Sequence, residues 1–103
     1  MSNRHQTASV ETALMHAMRL YANDPLLAAE QARQILVAAP GDPAARLILG
    51  MSHNALGEHR RALDVLQVLA AEQPEAPRVQ LEFGVALAAL GRADDAIPAF
   101  ECA

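Results

Sequence analysis

The residues of this chain that could carry chemistry are four histidines, one pair of adjacent carboxylates and one cysteine. A pair of metal ligands on one helix would need such side chains four positions apart. The four histidines are His5, His16, His53 and His59, and no two of them have that spacing. We therefore expect no metal site, a packing role for His53, and a solvent-exposed turn position for His59.

The carboxylate pair and the cysteine also lack the surroundings that catalysis needs. Asp94 and Asp95 open a predicted helix, where negative charge complements the helix dipole. Cys102 has no basic neighbour in sequence to activate its thiol. The sequence contains no glycine-rich phosphate loop, zinc-binding pattern or nucleophile elbow. We predict no catalytic residues, no metal and no cofactor, and hence no enzyme activity.

Composition narrows the classes of partner. The 103 residues suffice for one domain, and the formal net charge is −4. All eight positive residues are arginines scattered along the chain, which disfavours a nucleic-acid surface and indicates the coding bias of a GC-rich, bacterial genome. The start of the chain lacks an apolar signal core, and no apolar run reaches the ~18 residues of a membrane span. One cysteine permits no internal disulfide, so we expect a cytoplasmic protein without membrane contact.

The secondary-structure signals in the sequence are those of helix starts and helix ends. Asp24-Pro25 and Asp42-Pro43 each place a capping residue before a proline that suits the first helical turn, and Pro77 marks a third start. No stretch alternates with β-branched residues in the manner of a strand. The signals predict six helices, at about 9–22, 25–39, 43–56, 59–73, 77–90 and 93–103.

A 34-residue repeat organises these helices. The stretch LGMSHNALGEHRRAL, residues 49–63, aligns without a gap to FGVALAALGRADDAI, residues 83–97. The interval holds two helices of this length and two short turns, which is typical of hairpins stacked in a solenoid. The sequence resembles the tetratricopeptide repeat family through Leu49, Gly50, Gly57, Ala62, Leu66 and Pro74, and again through Phe83, Gly84, Gly91, Ala96, Phe100 and Ala103.

The resemblance implies an all-α, right-handed α-solenoid of about three helix-turn-helix hairpins. We expect a flexible tail at residues 1–8 and repeats at about 9–40, 43–76 and 77–103, the last one incomplete. Gly50 and Gly84 would lie where paired helices cross, with Ala62 and Ala96 facing them. Gly57 and Gly91 would permit left-handed turns.

The first repeat matches this pattern less well. His16 stands where the glycine of the helix crossing is expected, and Ala32 stands where a large residue is expected. An irregular repeat is typical of the end of a solenoid.

In this family the first helix of each hairpin lines a concave groove that binds peptides or helices of partner proteins. Carried onto this chain, the resemblance predicts a mostly apolar lining in which only Arg78 could contact an acidic end. The residues are Val10, Ala13, Ala17, Tyr21, Leu47, Met51, Asn54, Arg78, Leu81 and Val85. The alternative is that these side chains pack against neighbouring helices or a second copy.

The function expected from the resemblance is protein–protein interaction, with an apolar helix or extended segment in the groove, or self-association into a homo-oligomer through an open face of residues 93–103. Two alternatives stay open. The repeats could be the N-terminal region of a larger bacterial enzyme, similar to those before sulfotransferase- or glycosyltransferase-like domains. They could also form a small secretion-type chaperone.

Overall fold

The structure is a computed structural model that describes the backbone of residues 2–102 and the side chains of residues 9–92 and 95–101. Within that part of the chain it contains six α-helices and no strand, as the sequence predicts. The helices are α1 (Ser2–Asn23), α2 (Pro25–Ala38), α3 (Pro43–Ala55), α4 (His59–Glu72), α5 (Pro77–Ala89) and α6 (Ala93–Cys102).

The first helix is longer than predicted. It begins at Ser2 instead of residue 9, so most of the stretch predicted as a tail is helical. The sequence before Pro25 contains neither glycine nor proline, and nothing in it therefore stops a helix. Residue 1 of the predicted tail lies outside the described residues.

Aspartate caps begin two helices, as predicted. Asp24 accepts a hydrogen bond through Oδ1 from the backbone N–H of Leu27 at 3.1 Å, and Asp42 accepts one from Ala45 at 2.9 Å. In each case a proline follows in the first turn, where its missing N–H costs no helical bond. These caps fix where the second and third helices start.

Glycines close the second and third hairpins. Gly57 and Gly91 have φ angles of +77° and +78°, a left-handed conformation that other residues adopt at a cost. The next N–H in each turn bonds a carbonyl five residues back, from Glu58 to His53 and from Arg92 to Leu87, both at 2.8 Å. The predicted turn glycines are therefore confirmed.

The helices of these two hairpins cross at Gly50 and Gly84, also as predicted, and a large side chain makes the closest approach to each glycine. The atoms nearest to the position of a Cβ on Gly50 belong to Leu66, and those nearest to one on Gly84 belong to Phe100. Ala62 and Ala96, which were predicted to lie opposite the glycines, are buried in the same core cluster as Leu66. A large side chain fills the space that the absent Cβ leaves.

Each helix packs on the next one along the chain, and in addition α1 contacts α3 and α3 contacts α5. Over residues 2–102 the second helices of the hairpins, α2, α4 and α6, make no such contacts with each other. The first helices thus form the closer, inner layer of a curved stack that measures 48 × 26 × 18 Å. This architecture is an all-α helical-repeat solenoid.

The first hairpin differs from the other two in its turn. Asp24 alone separates α1 from α2, whereas three residues separate α3 from α4 and α5 from α6. Ala17 is the buried small residue of α1, whereas His16, which stands at the position expected for the crossing glycine, is exposed. It joins a core cluster with Ala28 and Ala32, whose small side chains let the two helices approach closely.

Candidate partner-binding groove

A shallow apolar depression lies in the inner layer, between α1 and α3. We call it the α1–α3 groove. Its seven lining residues are Leu14, Met15, Met18 and Arg19 from α1, and Ala44, Leu47 and Ile48 from α3. Its volume is about 380 Å³, and none of its lining residues is acidic. The size and lining suit one or two apolar side chains of a bound segment.

Two methionines are the exposed large hydrophobic residues of this groove. Met15 is 60% exposed and Met18 is 46% exposed, although both are large hydrophobic residues. They lie three residues apart, which places them on neighbouring positions of one helix face. Methionine side chains are unbranched and polarizable, so they adapt to apolar partners of different shape.

The α1 residues predicted to line a groove lie elsewhere. Val10 and Ala13 line a second depression against α2, together with Ser9, Gln31, Gln34, Ile35 and Ala38. Ala17 is fully buried, and Tyr21 packs half-buried against the same core cluster. The prediction carried a 34-residue offset into a helix whose turn is two residues shorter, and that offset gave the wrong face of α1.

On α3 the structure separates the predicted residues. Leu47 lines the α1–α3 groove. Met51 is only 1% exposed and belongs to the core, and Asn54 is buried and hydrogen-bonded to Glu82. Of the three, Leu47 alone offers its side chain to a segment bound in this groove.

On α5 the predicted residues are more accessible. Leu81 is 40% exposed and Val85 is half-buried. Arg78 is exposed, but its Nε donates a hydrogen bond to Oε2 of Glu82 at 3.1 Å. The cation predicted to meet an acidic group of a partner therefore already pairs within the chain.

Sequence reasoning missed Leu14, Met15, Met18, Arg19 and Ile48 as lining residues. The signal that could have found them is the repeat itself. Ala17 aligns with Gly50 and Gly84 when the first repeat is shifted by one position, and that register places Leu14 at the position of the lining residue Leu47.

A polar network joins the inner helices α3 and α5. The amide Nδ2 of Asn54 donates to the backbone carbonyl of Glu82 at 2.9 Å and to its Oε1 at 3.1 Å. Both groups on Glu82 are acceptors, so the NH₂ group of Asn54 must lie on their side. Oδ1 of Asn54 then lies 3.1 Å from Nδ1 of His59, and because an amide oxygen only accepts, His59 is the donor. Arg78 completes the network on the other carboxylate oxygen. Two buried polar side chains are thus satisfied across the boundary between hairpins.

Two glutamates, the half-buried Glu58 and the exposed Glu72, are held by hydrogen bonds from neighbouring side chains. A hydrogen bond from the ring of buried His53, at 2.9 Å, lowers the pKa of Glu58 from its ordinary value of 4.5. A hydrogen bond from Arg46, at 2.6 Å, lowers the pKa of Glu72 and raises that of the arginine. The second pair links α3 to the end of α4 within one hairpin.

Comparison with known proteins decides the family. The sequence profile of the tetratricopeptide repeat matches residues 19–77 and 52–103, which together include most of the chain. The chain belongs to the tetratricopeptide repeat family. Neither the curated proteins nor the solved structures gave a match to it. Tetratricopeptide repeats are generally protein–protein interaction modules.

A second apolar surface of this tetratricopeptide module lies on α6. Ile97 is 55% exposed, whereas Leu63 at the equivalent place on α4 is 2% exposed. Phe100 is 39% exposed, and its equivalent Leu66 is fully buried. The third hairpin covers α4, but in the described residues no helix covers α6 in the same way. We call the exposed surface of Ile97 and Phe100 the α6 face.

The residues that could carry chemistry are dispersed. His53 and His59 have the structural partners given above, and His16 is exposed on α1. The side chains of His5, Asp94 and Cys102 lie outside the described residues. Among the described residues no group of three His, Cys, Asp or Glu side chains could hold a metal ion. None of the described helices is both long and apolar enough to span a bilayer.

Proposed function

We propose that this tetratricopeptide module binds an apolar segment of a partner protein in the α1–α3 groove. The observation that carries the proposal is the exposure of Met15 and Met18 on the inner layer beside Leu47. Large hydrophobic side chains that stay exposed together in a concave place are typical of binding surfaces. Leu81 and Val85, which were predicted to line the groove, extend the same layer along α5. Ala17, Met51 and Asn54 are buried beneath the surface of that layer.

The choice of variant follows from burial. A charge at Met51 would disrupt the core, because this side chain is only 1% exposed. Met18→Glu places the charge at the solvent-exposed floor of the groove, where the fold can tolerate it. Val37→Glu is the matched control, because Val37 is 84% exposed on the outer helix α2.

The test uses a random library of 12-residue peptides displayed on phage, with the wild-type chain as bait. Peptides enriched by the wild type are synthesised, and their dissociation constants are measured by fluorescence anisotropy. We expect Met18→Glu to weaken binding at least tenfold and Val37→Glu to leave it unchanged. Equal binding by all three proteins would show that the groove is not the site.

We propose a second contact, between copies of the chain, at the α6 face. The observation that favours it is the contrast between exposed Ile97 and its buried equivalent Leu63. Burying a fully exposed side chain of this size contributes about 1.5–3 kcal/mol, so a second copy that covers these partly exposed residues would gain part of that at each one. Sedimentation at rising concentration should then show a dimer for the wild type and a monomer for Ile97→Glu. Val68→Glu, an exposed position on α4, should remain dimeric. A wild-type mass of 11.0 kDa at every concentration would refute this contact.

A further inference from the structure

We infer that the segment bound in the α1–α3 groove carries an internal Asp or Glu side chain that pairs with Arg19. This inference rests on the proposed function, since it names a chemical property of the segment that the same groove binds. It starts from the lining itself, in which Arg19 is the charged residue and every other side chain is apolar. A carboxylate in the groove would therefore meet a cation and no opposing acid.

Among the inner-helix arginines whose side chains the structure describes, Arg19 is the one without an ion-pair partner in the described residues. Arg46 pairs with Glu72 and Arg78 pairs with Glu82. Those two guanidinium groups are already engaged within the chain, whereas that of Arg19 is exposed and available. A planar guanidinium with five donors is well suited to a carboxylate.

The position of Arg19 on α1 sets where the acid lies in the partner. Arg19 follows Met15 by four residues, so the two side chains start about 6 Å apart on one helix face. An extended chain advances about 3.3 Å per residue. The acidic residue of the partner should therefore lie within roughly two residues of the apolar side chain that contacts Met15.

The lining also favours a side-chain carboxylate over the carboxylate at the end of a chain. Holding a chain end tightly needs several polar donors around both of its oxygens. Here Arg19 stands alone, and Met15, Met18, Leu47 and the remaining lining residues have no side-chain donor. One cation at the edge of an apolar floor fits an amphipathic segment that passes through the groove.

The test repeats the peptide selection with three baits: wild type, Arg19→Glu and Arg19→Gln. The peptides are fused to the phage coat protein through their C-termini, so no free terminal carboxylate can take part. Arg19 is exposed, and circular dichroism of each variant establishes that the helices are retained. We expect the wild type to enrich Asp or Glu within two positions of a large apolar residue. Arg19→Glu should instead enrich Lys or Arg there, and Arg19→Gln should show neither preference.

Affinities then give the size of the effect. Exchanging Glu for Gln in a selected peptide should weaken its binding to the wild type about two- to fivefold, as expected for one solvent-exposed ion pair. The same exchange should not weaken binding to Arg19→Gln. Peptides that depend on Met18 but keep their acidic preference with Arg19→Glu, or show none with the wild type, would overturn this inference alone. Peptides insensitive to Met18→Glu would overturn the proposed groove, and the inference with it.

Discussion

Gly50 on α3 and Leu66 on α4 are in such close contact that a Cβ atom at position 50 would lie 2.6 Å from both Cγ and Cδ2 of Leu66. Leu66 is fully buried, so its side chain has no open space into which it could turn. The crossing of these two helices thus requires glycine, and a larger residue at position 50 should overpack the core.

Gly50→Ala should destabilise the chain by about 1–2 kcal/mol. Overpacking of a tight core costs about 1–3 kcal/mol, and the better helix propensity of alanine offsets up to about 1 kcal/mol of that cost. Urea unfolding followed by circular dichroism measures the change. When Leu66 is also replaced by alanine, the clash disappears and Gly50→Ala should become stabilising. An unchanged cost in the double variant would contradict the contact as its cause.

Gly84→Ala should cost less than Gly50→Ala. A Cβ at position 84 would lie 2.6 Å from the ring of Phe100, which is the same approach as at Gly50. Phe100, however, is 39% exposed, so its ring can move outward at little cost. We expect a difference of about 1 kcal/mol between the two variants by the same urea assay. Equal costs would mean that the exposure of the facing side chain does not decide the effect.

Ser52→Ala should stabilise the chain by about 1 kcal/mol. The Oγ atom of Ser52 is buried without a hydrogen-bond partner among the described residues, and an unsatisfied buried hydroxyl is costly. The next repeat already has alanine, Ala86, at the equivalent place, fully buried in the core. Ser9→Ala on the exposed part of α1 reports the helix-propensity gain alone, which is at most about 0.5 kcal/mol. A smaller gain at position 52 than at position 9 would contradict this prediction.

Asn54→Ala should destabilise the chain by about 1–3 kcal/mol. It removes the donor that satisfies the carbonyl and the carboxylate of buried Glu82, and it leaves those groups without that bond. Thermal unfolding provides the measurement, with Gln67→Ala on the exposed side of α4 as a control that should change stability by less than about 0.5 kcal/mol. Equal effects of the two substitutions would show that the network contributes no more than a surface amide.

The sequence was sufficient to predict the helices, and also the turns and helix crossings of two of the three hairpins. Asp24, Asp42, Gly57 and Gly91 act through local backbone geometry, which a sequence pattern reports directly. The 34-residue interval then placed the helix crossings at Gly50 and Gly84 correctly. Where the turn between α1 and α2 has two residues fewer than the others, the interval no longer describes the face that α1 presents.

Side-chain burial was harder to predict than the backbone. Met51 and Met18 are the same residue type on inner helices, yet one is in the core and the other is exposed. The difference arises only in the assembled stack, and residue type does not contain that information. The hydrogen bond between Asn54 and Glu82 joins residues 28 positions apart, so it too depends on the assembled stack.

The stability of the chain should fall in acid as Glu58 and Glu72 become protonated. Each has a folded-state pKa below its ordinary value of 4.5, because His53 and Arg46 donate hydrogen bonds to the ionised forms. The folded state therefore holds its carboxylates ionised to lower pH than the unfolded state does. Their contribution is complete above about pH 4.5 and is lost as the pH falls through the folded-state values.

Urea midpoints measured from pH 7 to pH 3 test this expectation on the wild type, Glu58→Gln and Glu72→Gln. Each variant should be less stable than the wild type at pH 7 and should lose less stability on acidification. The gap at pH 7 should also shrink in 0.5 M NaCl, because salt screens charges at exposed sites. Acid curves of wild type and variants that run parallel down to pH 3 would show that the two carboxylates gain nothing from His53 and Arg46.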